Sequence, residues 1–228
     1  MIKSVFIDLD DTIFDFHKAE ALALADMLSQ FGINVTSELS EKYSAINKSQ
    51  WELLERKEKT REEVLLDRFT IFFSELGISA DSRKAKEIYE YTLGSGHFFI
   101  DGAEKLLESL YQKYDLYLAS NGTEAVQVRR IASSGIEKYF KEIFISQSIG
   151  FDKPAREYFD ACFSKIRNFS NDTTVIIGDS LTSDILGGIN SGIKTCLFNP
   201  KGKANNTDIK PDFEVRSLEE IPKLLERI

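Results

Sequence analysis

The chain of 228 residues is 42% hydrophobic and 29% charged, an ordinary balance for a soluble globular protein long enough to bury a sizeable core. Its formal net charge of −8 argues against a nucleic-acid polymer or an anionic membrane surface as partner, since both want a basic face. A small phosphorylated ligand stays open, because one divalent cation and one lysine can reverse the sign locally.

The first apolar run, Ser4-Val5-Phe6-Ile7, ends abruptly in Asp8, Asp10 and Asp11. A run this short reads as a buried parallel strand whose C-terminal end opens onto a polar site, where open α/β sheets bind their ligands. Carboxylates crowded there repel unless a cation or a proton compensates. Helical periodicity then runs without a convincing strand from about Phe16 to about Gly96. Leu24, Met27/Leu28 and Phe31 form one stripe, and Leu39, Tyr43, Ile46 and Leu53/Leu54 form a second on a helix that carries Trp51. Thr60 and Glu63 make a capping box for a third, striped by Leu65, Phe69, Phe72 and Leu76, and Ala85, Ile88 and Tyr89 mark a fourth. Four helices inserted after the first strand predict a helical cap over the strand ends, residues 16–96.

From Asp101-Gly102 the pattern alternates between helices and short strands. A helix from Ala103 to Lys113 leads to the strand Leu116–Ala119, which ends in Ser120-Asn121-Gly122. A helix from Glu124 to Ser134 leads to Glu142–Ile145 and a loop holding Lys153-Pro154. A helix from about Ala155 to Ile166 precedes Thr174–Ile177, ending in Gly178-Asp179. A helix through Ile185 and Ile189, strands at Lys194–Phe198 and around Phe213–Val215, and a helix from Leu218 close the chain. The expectation is an α/β fold: a doubly wound, Rossmann-like parallel-sheet core of residues 1–15 and 97–228, with an all-helical insertion. Cys162 and Cys196 form no CxxC pair and read as buried thiols. With no signal peptide or uncharged membrane-length run visible, a cytoplasmic protein is expected.

In a parallel sheet all strand ends share one edge, so Asp8 and Asp10, Ser120 and Asn121, Lys153 and Asp179 can converge. The set holds carboxylates for nucleophilic attack, proton transfer and cation binding, one ammonium and one hydroxyl. Without histidine or cysteine ligands a metal there should be hard and oxygen-seeking, Mg²⁺ before Zn²⁺. Such a site suits phosphoryl transfer.

Asp8-Leu9-Asp10-Asp11-Thr12, the strand ending in Ser120, Lys153, and Gly178-Asp179 through Asp184 resemble, in order, the four motifs of the haloacid dehalogenase superfamily. The resemblance implies Asp8 as a nucleophile forming an aspartyl-phosphate, with Asp10 as acid for the leaving oxygen and then base for water. It implies Mg²⁺ held by Asp8, the Asp10 backbone carbonyl and Asp179. Ser120 and the Asn121 backbone amide, with Leu9, would hold the phosphate while Lys153 offsets its charge. Asp184 would support Lys153 or a metal-bound water; alternatively it is a helix-start carboxylate favoured by the dipole.

Closer still, Asp11 through Phe16, Tyr43 through Asn47 with Trp51, Asp67-Arg68-Phe69 and Asp184 through Gly192 resemble the pyrimidine nucleotidases of that superfamily. This implies a nucleoside monophosphate of the UMP, dUMP or TMP type as substrate, with Phe14, Phe16, Asn47 and Trp51 as candidate contacts. One departure is Ala155-Arg156-Glu157, where the family commonly carries polar residues after the lysine and proline. A sugar-phosphate phosphatase, a phosphomutase and a non-catalytic binding module of the same fold are the alternatives. Retention of both Asp8 and Asp10 speaks against the last of these.

Overall fold

Strand β1, Ser4–Ile7, is buried at every position, as a strand covered on both faces must be. It lies between β2, Asp115–Ser120, and β4, Thr174–Gly178, pairing with both in parallel. With β3 (Glu142–Ile145), β5 (Lys194–Phe198) and β6 (Phe213–Val215), the all-parallel order is β3-β2-β1-β4-β5-β6. The chain moves outward from β1 through β2 to β3, then returns to β4 on the other side of β1. The strand order therefore reverses between β1 and β4, and a crevice forms beyond the carboxyl ends at such a reversal.

Side-chain alternation along the strands divides the interior in two. Val5, Ile7, Leu116, Leu118, Val175 and Ile177 pack in one layer, while Phe6, Tyr117, Ala119 and Ile176 pack in the other. Helices α5 (Ala103–Leu110) and α10 (Ile221–Leu225) supply Leu106, Leu107, Leu110, Ile221 and Leu225 to the first layer, and Ile131 comes from α6, Glu124–Ser134. Tyr158, Phe159 and Cys162 of α8, Arg156–Ser164, cover the second. Helix α9, Leu186–Ser191, comes so close to the sheet that a Cβ on Gly188 would overlap Ile176 and Thr195. The computed structural model describes every residue from Met1 to Ile228, and its backbone falls into two units: Met1–Asp15 with His97–Ile228, and Phe16–Gly96.

The second unit is entirely helical: α1 (Phe16–Gln30), α2 (Ser37–Glu55), α3 (Arg61–Glu75) and α4 (Ser82–Leu93). Thr36 and Asp81 cap α2 and α4, and the capping box of Thr60 and Glu63 opens α3. Tyr43, Phe69, Phe72 and Tyr89 form its aromatic centre, with Tyr43 5.3 to 5.5 Å from each of the other three rings. No helix of the chain is long and apolar enough to cross a membrane.

Several short elements were not expected from the sequence. Helix α7, Ser146–Ile149, follows β3, and a single π turn, Leu181–Ile185, stands where a regular helix start was expected. The expected Ala103–Lys113 helix stops at Leu110, because Tyr111 through Lys113 close it with turn hydrogen bonds.

Candidate active site

Three strand ends, of β1, β2 and β4, and the loop after β3 build the site. After β1 the chain turns back within a few residues. The Leu9 carbonyl accepts from the N–H groups of Ile13 at 2.9 Å and Phe14 at 2.8 Å, and the Asp11 N–H donates to the Phe14 carbonyl at 2.7 Å. The turn holds Asp11 at φ 58, a left-handed conformation that aspartate tolerates better than most residues. Leu9 itself is wholly buried and its side chain belongs to the core, so any ligand contact it makes falls to its main chain.

Lys153 is 1% exposed, and its ammonium donates to Asp8 Oδ1 at 2.6 Å, Asp184 Oδ1 at 2.6 Å and the Ala119 carbonyl at 2.7 Å. Three donors thus meet three acceptors drawn from the residue after β1, from the end of β2 and from the segment after β4. The Asn121 side chain fixes the lysine's own backbone. It donates to the Lys153 carbonyl at 2.8 Å and accepts from the Lys153 N–H at 2.8 Å. The Lys153–Pro154 peptide is cis. Asp184 reaches inward because the π turn folds it back over Gly178, where a Cβ would overlap its carboxylate. Its Oδ2 accepts from the Ser180 N–H at 3.1 Å, so both carboxylate oxygens are engaged. The resemblance implied that Asp184 supports Lys153 or a metal-bound water, and its Oδ1 is the oxygen that accepts from the lysine.

Carboxylate oxygens of Asp8, Asp179 and Asp184 all lie within 4.8 Å of one another. Burial pushes the Asp8 carboxyl up to about 8, against the pull of Lys153 and with added repulsion from Asp184 and Asp10. Asp179 keeps a face open to solvent yet is hemmed in by protein. That desolvation, followed by repulsion from Asp8, Asp184 and Asp11, holds its carboxyl well above the usual range. Burial alone would weaken the Lys153 charge, but Asp184 and Asp8 outweigh it and raise its proton affinity above the ordinary lysine value. Three carboxylates against one ammonium leave a negative excess that one divalent cation would balance. The donors are all oxygens, the chemistry that suits Mg²⁺, and Asp8 and Asp179 could hold it, both Asp184 oxygens being engaged already.

Ser120 and Asp10 form the second half of the site. The buried Ser120 hydroxyl accepts from the Gly122 N–H at 3.1 Å and from Gln127 Nε2 at 2.8 Å, so its own proton remains to be donated. Asp10 Oδ2 accepts from Gln127 Nε2 at 2.7 Å, and its Oδ1 accepts from Arg130 Nη1 at 2.5 Å. Neither Gln127 nor Arg130 was singled out from the sequence, although both are buried on α6. The available signal was their spacing of three, which interrupts the apolar stripe of Val126 and Ile131 on the inward face of the helix.

The structure gives the expected substrate contacts unequal places. Phe14 is fully buried, its ring 5.2 Å from Phe99 and 5.2 Å from the Arg130 guanidinium. Asn47 lies inside the helical unit. Its amide donates to Glu20 at 2.9 Å, and its oxygen accepts from Trp51 and Arg68, both at 3.1 Å. Both residues are thus committed to interior roles, whereas Phe16 and Trp51 are half-buried.

A family model described as haloacid dehalogenase-like hydrolase matches residues 5–198. The solved structure of the putative HAD-hydrolase YfnB of Bacillus subtilis, bound to magnesium, is 42% identical, with a TM-score of 0.94 and 98% of each chain covered. The pyrimidine 5'-nucleotidase PynA of Streptococcus pneumoniae is 36% identical over 226 residues, 99% of this chain and 95% of the relative. The pyrimidine 5'-nucleotidase YjjG of Escherichia coli is 28% identical over 221 residues, 97% of this chain and 96% of the relative.

Proposed function

The chain belongs to the haloacid dehalogenase-like hydrolases, and from that footing we propose that it is a Mg²⁺-dependent phosphomonoesterase acting on pyrimidine nucleoside 5'-monophosphates. The observation that carries the chemistry is the convergence of Asp8, Lys153, Asp179 and Asp184 at the reversal of strand order. Similarity to PynA and YjjG supports the substrate class.

The residues divide the work as follows. Lys153 holds one oxygen of Asp8, and the other attacks the phosphorus while the ester P–O bond breaks. Asp10 gives a proton to the departing oxygen, then takes one from the water that attacks the aspartyl-phosphate, releasing inorganic phosphate and restoring Asp8. The free proton of Ser120 and the Asn121 main-chain N–H donate to phosphoryl oxygens, where negative charge builds in the transition state. Asp8, Asp179 and the Asp10 carbonyl would hold Mg²⁺, which would supply positive charge against the phosphoryl group.

A phosphate-release screen tests this reading, with Mg²⁺ present and with the metal chelated. Its panel is UMP, dUMP, TMP, the purine monophosphates and a set of sugar phosphates. The pyrimidine monophosphates should be turned over fastest, and chelation should abolish release from all of them. Faster turnover of sugar phosphates would move the chain to the related reading favoured by its 26% likeness to the N-acylneuraminate-9-phosphatase of Mus musculus. Full activity after exhaustive chelation would remove the metal.

A further inference from the structure

We infer that Gln127 and Arg130 are positioning residues that tie the acid–base carboxylate to the phosphate-holding hydroxyl, an inference resting on the role proposed above for Asp10. An amide nitrogen has two hydrogens, and the Gln127 Nε2 lies 2.7 Å from Asp10 Oδ2 and 2.8 Å from Ser120 Oγ. One side chain therefore spans two groups that act on opposite parts of the same substrate: the departing ester oxygen and the phosphoryl oxygens.

The orientation of that amide is set by Arg130. Its Nη1 donates to Gln127 Oε1 at 2.9 Å and to Asp10 Oδ1 at 2.5 Å. A reversed amide would present its NH₂ group to the guanidinium and its oxygen to the Asp10 carboxylate, so only one orientation serves its three contacts. Arg130 is fully buried and is itself held against the face of Phe14, in the turn that follows Asp10. The backbone makes room for this arrangement at Gly122, where a Cβ would overlap the Gln127 amide. Asp10 is partly exposed, with 28% of its side-chain surface open, so without these two donors nothing named here keeps its carboxylate in one place.

Leaving-group dependence tests the inference, because only a poor leaving group needs a proton from Asp10 as its bond breaks. The ratio kcat/KM covers steps only as far as the aspartyl-phosphate, and so isolates the acid role from the later base role. The substrates are UMP, whose leaving group is an alkoxide, and 4-nitrophenyl phosphate, whose leaving group departs without help. Arg130→Met should lower kcat/KM for UMP by about 10- to 100-fold, the cost of misplacing a catalytic group, and for 4-nitrophenyl phosphate by less than about threefold, whereas Gln127→Leu, which also releases Ser120, should lower both, UMP by about tenfold more. Arg130→Lys should regain part of the loss on UMP, since an ammonium can still meet Asp10.

Asp10→Asn, measured alongside, is the reference and should separate the two substrates at least as widely. If Asp10→Asn separates them while Gln127→Leu and Arg130→Met lower both equally or neither, the positioning role is overturned and Asp10 keeps its function. If Asp10→Asn itself affects both substrates equally, the acid assignment falls and the inference falls with it. Should Arg130→Met fail to fold, Gln127→Leu decides by the same comparison.

Discussion

Lys153 carries three hydrogens on its ammonium and faces three acceptors, the carboxylates of Asp8 and Asp184 and the carbonyl of Ala119. Lys153→Met removes the charge that the buried carboxylates share. It should lower kcat/KM by about 10²- to 10³-fold, the usual cost of losing one preorganised electrostatic group. It should also destabilise the metal-free protein by about 3–5 kcal/mol in urea unfolding, because two buried carboxylates lose their partner. An activity loss without a stability loss would mean that the ammonium is not what holds the cluster together. At this scale Asp8, Asp10 and Asp179 were legible in the sequence, because acidic groups directly after apolar runs are conspicuous. Gln127, Arg130 and the side-chain role of Asn121 were not. They are ordinary polar residues whose meaning depends on what the fold brings opposite them.

Among the elements, the segment after β4 shows how backbone shape serves the site. Asp184 and Ile185 both donate their N–H groups to the Ser180 carbonyl, and the Ser180 hydroxyl accepts from the Ser183 N–H at 3.2 Å. This widened turn sets the Asp184 carboxylate against Gly178, where a methyl group has no room. Gly178→Ala should therefore displace Asp184 from Lys153 and cost about 10²-fold in kcat/KM, as an ångström of misplacement does. A Gly178→Ala enzyme with normal kinetics would show that Asp184 can hold Lys153 from elsewhere. The six strands could be read from short continuous apolar runs, and the four helices of the insertion from apolar patterns of period 3.6. The π turn and α7 could not, because elements of four or five residues do not complete a hydrophobic repeat.

For the whole molecule, the buried acidic cluster would couple binding of Mg²⁺ to stability. The Asp8 carboxyl rises from the ordinary 3.8 to about 8 on folding, so between those values the native chain binds more protons than the unfolded one. Stability of the metal-free protein should therefore fall as pH rises through that interval, and Mg²⁺ should raise the melting temperature more at pH 8 than at pH 5. An increment that does not grow with pH would mean that the cation does not bind at Asp8. The claim on which all of this turns is that Asp8 itself takes the phosphoryl group, and a crystal structure with Mg²⁺ and beryllofluoride addresses it directly. Beryllium should be bonded to a carboxylate oxygen of Asp8, with Ser120 and Lys153 against its fluorines. An adduct on any other residue, or Mg²⁺ bound beside an unmodified Asp8, would contradict it.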